Sequence, residues 1–197
     1  MITKLAETAA NVLCKYDTVT QDNRELYIYG FYILISKTLY FLVAVILGII
    51  FKIVLESVAF YIMFAVIREY AGGIHASTEC ACMIFTSLSL FVCTVAMKVC
   101  IDYSLLALPI IELILSAMCI LALSPLDTKE KQLTEEEKKV YRRKTCLFMA
   151  IILLVAILSL ICKYATMLYP CVFSLFLEGL LLVIGKANKL AHQTKTQ

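Results

Sequence analysis

Tryptophan is absent, histidine occurs twice, and proline and glycine are scarce, with three and six residues in a chain of 197. So few breakers exclude collagen-like repeats and proline- or glycine-rich disorder. The missing tryptophan removes a common membrane-interface anchor and leaves that role to 11 tyrosines. Residues 1–25 lack a continuous apolar core followed by a small-residue cleavage site, so no cleaved signal peptide is expected. No C-x-x-C pair occurs, and the neighbourhood of Cys80 and Cys82 offers too few ligands for zinc. No metal, cofactor or nucleic-acid partner is expected.

Apolar sequence is what the chain has in excess, at 62% of residues. A water-exposed globule of that composition would aggregate, since soluble domains run nearer 45–50%. Apolar runs fall at about 26–50, 53–67, 80–100, 103–123, 146–168 and 169–185. About 20 residues cross a bilayer as a helix. The first, third, fourth and fifth runs meet that length; the second and sixth are short, which keeps a four-span model with re-entrant segments open. The expectation is an all-α, polytopic integral membrane protein of about six transmembrane helices, forming a single membrane-embedded domain over 1–197. The cysteine count of nine is odd, and Cys93, Cys119 and Cys162 lie inside apolar runs, so most thiols read as reduced packing groups.

Within 1–25, Ile2, Leu5, Ala6, Ala9, Val12, Leu13 and Tyr16 recur at helical spacing, with Lys4, Glu7, Asn11 and Lys15 off that stripe. This predicts an amphipathic helix, either in the membrane interface or packed on the protein's own cytoplasmic face. With six spans, 14 lysines and arginines fall on the side of the termini and only Lys52, Lys98 and Lys163 on the other, Lys37 lying within the first span. That bias places the termini and the 68–79 segment in the cytoplasm of a multi-pass cell-membrane protein. The stretch 124–145 is the one long hydrophilic segment and reads as a basic cytoplasmic loop with seven basic and five acidic residues. Thr134 with Glu137 fits a capping box, which predicts helix over 135–145, continuous with the next span. Its cluster Lys138, Lys139, Arg142, Arg143 and Lys144 suits topology-setting charge, with anionic lipid or an acidic peptide as the other reading. Lys37, Glu112 and Glu178 fall within spans, where a charge must pair or line a cavity. Lys37 with Glu112 or Glu178 is the pairing the sequence suggests; a substrate or proton path is the alternative.

The segment 68–82, Arg-Glu-Tyr-Ala-Gly-Gly-Ile-His-Ala-Ser-Thr-Glu-Cys-Ala-Cys, carries the chemistry. It is polar, broken by Gly72 and Gly73, and holds His75, Cys80 and Cys82. A thiol and an imidazole are the minimum parts of a cysteine nucleophile. Seven residues on one unbroken helix would hold His75 and Cys82 about 10 Å apart, too far for proton transfer, which needs about 3 Å. The pair works only if the helix is interrupted, and the two glycines allow that. Ser77 or Thr78 would cap the helix that follows, whose N-terminus favours a thiolate. Cys80 and Cys82 differ by about 200° around a helix, so at most one faces His75, and spacing alone does not choose between them. His75 could equally satisfy a loop backbone, and His192 reads as a solvated tail residue.

The pattern Arg68-x-x-x-Gly72-Gly73-x-His75-x6-Cys82 resembles the signature of the accessory gene regulator B family, membrane-embedded cysteine endopeptidases of Gram-positive quorum sensing. The layout agrees over the whole chain: about 200 residues, an amphipathic N-terminus, about six spans and a basic loop. By that resemblance His75 and Cys82 are catalytic, Cys80 is a neighbour, and Arg68, Gly72 and Gly73 are substrate-binding or supporting. The family's lysine-rich loop matches 129–144 in place, although Glu130 and Glu135–137 interrupt it here.

The implied substrate is an AgrD-like precursor signal peptide, with an amphipathic leader, a central segment containing cysteine or serine, and an acidic tail. The implied reaction is loss of the tail to form an acyl-thioester on Cys82, followed by cyclisation to a thiolactone or lactone. Arg68 would bind a substrate carboxylate or help the oxyanion site; a positive-inside anchor is the plain alternative. Glu69 and Glu79 are the carboxylates nearest in sequence to orient His75. Membrane lipid is the other partner, and small-residue span faces are compatible with a homodimer. A small transporter or exporter of peptides is the competing reading, supported by Glu112, Glu178 and Pro109 but lacking two halves with matched broken spans. A non-catalytic membrane scaffold is the third.

Overall fold

The computed structural model describes residues 2–15, 23–73, 78–126, 134–162 and 164–194. Among these residues the protein is all-helical: α1 (Ile2–Lys15), α2 (Arg24–Phe51), α3 (Val54–Ala71), α4 (Glu79–Asp102), α5 (Ala107–Leu123), α6 (Glu135–Ile161) and α7 (Leu168–Thr194), with a 3-10 turn at Ala165–Met167 before the last. Residues 1–43 and 44–197 form two compact units.

In the first unit, α1 has the predicted helical period. Ile2, Ala6 and Ala10 are buried, one above the other at i, i+4, i+8. Leu5 and Val12, predicted on the same stripe, stay about half exposed at 53% and 48%. Arg24 Nε donates to Asn11 Oδ1 at 2.9 Å, tying the start of α2 back to α1.

In the second unit α2 and α3 meet in a tight reversal. Lys52 takes a left-handed conformation (φ 58°), and Ile53 N–H donates to Gly48 O at 2.8 Å. A side chain at Gly48 would stand 2.7 Å from the Val54 backbone, so only glycine lets the chain turn here.

α7 is the hub of this unit. It packs on α3, α4, α5 and α6, and 78% of its most apolar window is buried, against 17–28% for α2, α4 and α6. The shared core joins Ile67 and Ala71 of α3, Leu113, Ala117 and Ile120 of α5, Met149, Ile152 and Ala156 of α6, and Leu168, Cys171, Val172, Leu175 and Leu182 of α7. Small residues let α5 and α7 approach closely: the Ser116 backbone lies 3.7 Å from where a Gly179 side chain would start, and Cys119 Sγ contacts Gly179 O at 3.8 Å. The outward faces of α2, α4 and α6 expose large apolar groups such as Ile46, Leu88 and Leu154, as lipid-facing helices do.

Four described helices are long and apolar enough to cross a membrane: α2, α4, α6 and Leu168–Leu190 of α7. The expected count of about six is thus met only in part. α3 has 18 residues and carries Glu56, Arg68 and Glu69. The fourth apolar run is shorter as a helix than as a sequence, because Tyr103 caps α4, Ser104 turns left-handed (φ 50°), and α5 keeps 17 residues. The sixth run is longer than predicted. Its hydropathy ends near 185, but lysine is a good helix former, and the helix continues past Lys186 and Lys189. Pro109 lies in the first turn of α5, where its missing N–H costs no hydrogen bond, so it does not break a span.

Candidate active site

α3 ends at two glycines in conformations that side chains rarely adopt, Gly72 at φ 82° and Gly73 at φ 129°. Gly72 pairs in parallel with Leu126, just beyond α5, and Leu126 N–H donates to Ala71 O at 2.9 Å. A Cβ on Gly72 would fall 2.5 Å from Leu126 O. The second wall is Arg68, one turn back on α3. Its Nη1 donates to Gly72 O at 2.6 Å and fills the space a Gly73 side chain would need. Gly72 is therefore required by the Leu126 backbone and Gly73 by the Arg68 side chain, and both by their own φ.

Arg68 faces inward as well. Its Nη1 is 3.7 Å from Oε1 of Glu178 on α7, whose side chain is 0% exposed. Neither carboxylate oxygen of Glu178 has a hydrogen-bond partner among the described residues. The cation beside Glu178 within this unit is thus Arg68, which the sequence offered as an anchor or substrate contact.

α4 begins at Glu79 after Thr78, which is extended (φ −132°, ψ 149°) and accepts a hydrogen bond from Ala81 N–H. Of the two capping candidates, Thr78 is the one in place. The helix that carries Cys82 therefore begins at Glu79, with extended backbone at Thr78 before it. Cys82 sits on the first turn, its N–H bonded to Thr78 O at 3.0 Å. Its thiol is partly buried, whereas Cys80 is exposed. Glu69 is exposed and Glu79 partly buried. His75 and Ser77 lie outside the described residues, as does the side chain of His192.

Beside this turn Tyr70 forms a cluster not foreseen from sequence. Its ring stacks on Phe148 of α6 (centroids 5.3 Å apart, 10° between planes), meets Tyr141 at 5.8 Å, and carries Lys144 Nζ 4.9 Å above it. The only sequence signal was an aromatic two residues after Arg68 and another inside the basic segment. α6 starts at the expected capping box, Thr134 N–H donating to Glu137 Oε2 at 2.8 Å and Glu137 N–H to Thr134 Oγ1 at 3.3 Å. Of its basic cluster, Lys138 pairs with Glu135 at 2.8 Å, while Lys139, Arg142 and Arg143 line a shallow open groove with Cys146.

By the length and composition of its helices the protein is of the helical membrane class, with a thiol on the first turn of one span. The family profile described as Accessory gene regulator B matches residues 6–182. The chain belongs to the accessory gene regulator B family. It is similar to AgrB-like protein 2 of Clostridium perfringens (strain 13 / Type A), with 27% identity over 177 residues, 83% of this chain and 78% of that protein. An AgrB-like protein of Clostridium perfringens (strain SM101 / Type A) is 25% identical over the same length and coverage. Both are named for likeness to AgrB, and neither name states an activity. No solved structure matches the chain.

Proposed function

We propose that this protein is a membrane cysteine endopeptidase that cuts the C-terminal tail from an AgrD-like precursor and promotes cyclisation of the remainder. The observation that carries the reading is the position of Cys82. In a chain whose family match runs over 6–182, it lies on the capped first turn of α4, nine residues after Gly73 in the sequence.

His75 takes the Cys82 thiol proton, and the thiolate attacks the peptide carbonyl before the tail. The C–N bond breaks, His75 returns the proton to the leaving amine, and an acyl-thioester to Cys82 remains. A precursor cysteine attacks that thioester and closes a thiolactone, or a serine closes a lactone, and Cys82 is released. Exchange of one thioester for another is nearly balanced, so no ATP is needed. Hydrolysis competes, and a site at the membrane edge limits water. The partly buried Cys82 suits this role better than the exposed Cys80. With its guanidinium held by Gly72 O and Glu178, Arg68 acts in this reading as a support of the turn. The site and both termini face the cytoplasm of a multi-pass protein of about six spans, with α3 and α5 as the two short ones.

The test is reconstituted protein with the precursor, following tail release and any acyl adduct by mass spectrometry. Loss of release in Cys82→Ala and His75→Ala with retention in Cys80→Ala supports the dyad. Normal cleavage by Cys82→Ala removes Cys82 as the nucleophile, and wild type that neither releases the tail nor forms an adduct removes the peptidase reading and leaves a peptide exporter.

A further inference from the structure

A carboxylate in the middle of the most buried helix needs a reason to be there. Glu178 is fully enclosed, both of its oxygens lack hydrogen-bond partners among the described residues, and Arg68 Nη1 stands 3.7 Å away. A buried ion pair adds little to stability compared with apolar residues of the same volume. Packing alone would be served as well by leucine, the residue at 175, 177, 181 and 182 of the same helix. What the carboxylate does on this geometry is draw the guanidinium toward α7 by its charge, from 3.7 Å. That placement matters because the same nitrogen, Nη1, donates to Gly72 O at 2.6 Å and occupies the space beside Gly73. On its far side the turn is fixed by Leu126, through its backbone pairing with Gly72. The path Glu178–Arg68–Gly72 therefore links the hub helix to the turn that enters the segment holding His75.

We propose that Glu178 is a positioning residue for the peptidase reaction, acting through Arg68 on the Gly72–Gly73 turn. The inference rests on the peptidase reading above. It gives Arg68 an internal role, as the arm between a buried carboxylate and a backbone carbonyl, in place of a direct role on substrate.

The experiment uses the full-length protein in liposomes with the precursor peptide, comparing wild type, Glu178→Gln and Glu178→Asp. Three quantities are read: the rate constant for acyl-adduct formation on Cys82, the KM for the precursor, and amide hydrogen exchange at the peptide carrying Gly72 and Gly73. Labelling of the buried thiols Cys93 and Cys171 reports whether each variant is folded. The glutamine variant should acylate ~10- to 100-fold more slowly, the scale of a small misplacement of a reacting group. Its KM should stay within about twofold, since the substrate contacts are untouched. Exchange at the two glycines should quicken, and Glu178→Asp, which keeps the charge, should recover part of the rate.

Wild-type acylation in folded Glu178→Gln, or slowed acylation with unchanged glycine exchange, overturns the proposal. If Glu178→Gln labels at Cys93 and Cys171, the same readings on Glu178→Asp decide, with a loss of rate and faster glycine exchange expected and their absence fatal. If wild type itself forms no adduct, the peptidase reading has failed and the positioning role falls with it; if wild type acylates, only the positioning role is at stake.

Discussion

Thr78 Oγ1 lies 3.2 Å from the Ala81 amide nitrogen and accepts its hydrogen bond, one residue before Cys82. The first amides of a helix have no partner within it, so this contact decides whether the first turn of α4 is formed or frayed. Thr78→Ala removes it at a cost of ~1 kcal/mol. Exchange of the Ala81 amide should then quicken about fivefold, the factor that free energy represents. Thr78→Ser keeps an oxygen in place and should behave as wild type. Mass-spectrometric amide exchange checks both, and equal exchange in all three proteins would show that the cap does not govern this turn.

The glycine turn gives a graded set of substitutions. Gly73→Ala meets the Arg68 guanidinium and Gly72→Ala meets the Leu126 carbonyl, each at a φ that disfavours a side chain. The conformational penalty alone is roughly 1–2 kcal/mol, with the clash added. Arg68 is a side chain and can give way, whereas Leu126 O is backbone. Gly73→Ala should therefore lose tail release by displacing Arg68 while keeping most of its stability, and Gly72→Ala should lose both. Gly30, inside α2 with nothing within 4 Å of a new Cβ, is the control. Its alanine variant should be unchanged or about 0.5–1 kcal/mol more stable from helix propensity. Thermal unfolding in detergent beside the release assay reads all three.

Tyr70 joins α3 to the basic start of α6 through a stacked ring and an overlying ammonium. Tyr70→Phe keeps the stack on Phe148 and should be nearly neutral. Tyr70→Ala loses it, along with the cation contact of Lys144. A double-mutant cycle of Tyr70→Ala with Lys144→Met should give a coupling of about 0.5–1 kcal/mol, typical of exposed cation–π pairs. A coupling of zero would mean that Lys144 serves as surface charge alone.

What the sequence disclosed was local. The capping box at Thr134 and Glu137, the cap at Thr78, the amphipathic α1 and the glycine break after α3 all depend on residues within a few positions of one another, and each is found. The contacts that build the site are remote. Arg68 with Glu178 and Gly72 with Leu126 join segments that share no period or motif, so the arginine read as a substrate contact or an anchor, and the glutamate as one of two candidate partners for Lys37 or part of a substrate or proton path. The central place of α7 was hidden for another reason. In a membrane, lipid-facing and core-facing residues are equally apolar, so hydropathy does not separate inside from outside. The mark of the buried helix was its small and polar content, Ser174, Glu178 and Gly179, within what looked like a short final run.

That reading of α7 can be tested with two leucines five positions apart. Leu175 is fully buried in the shared core, and Leu180 is 44% exposed on the same helix. In water the loss of a leucine side chain combines a transfer term with a cavity term. Against lipid the transfer term nearly vanishes, because the surroundings are as apolar as the protein interior. The cavity term survives only where neighbouring helices cannot close the gap. Leu175→Ala should therefore cost about 2 kcal/mol or more, toward the lower end for buried leucines in soluble cores. Leu180→Ala should fall within about 0.5 kcal/mol of wild type, as outward-facing substitutions do. Reversible unfolding by detergent titration measures both. If the two variants are equally stable, α7 is not the hub around which α3, α4, α5 and α6 pack. A large difference fixes the helix that carries Glu178 as the rigid reference against which Arg68 and the glycine turn are held.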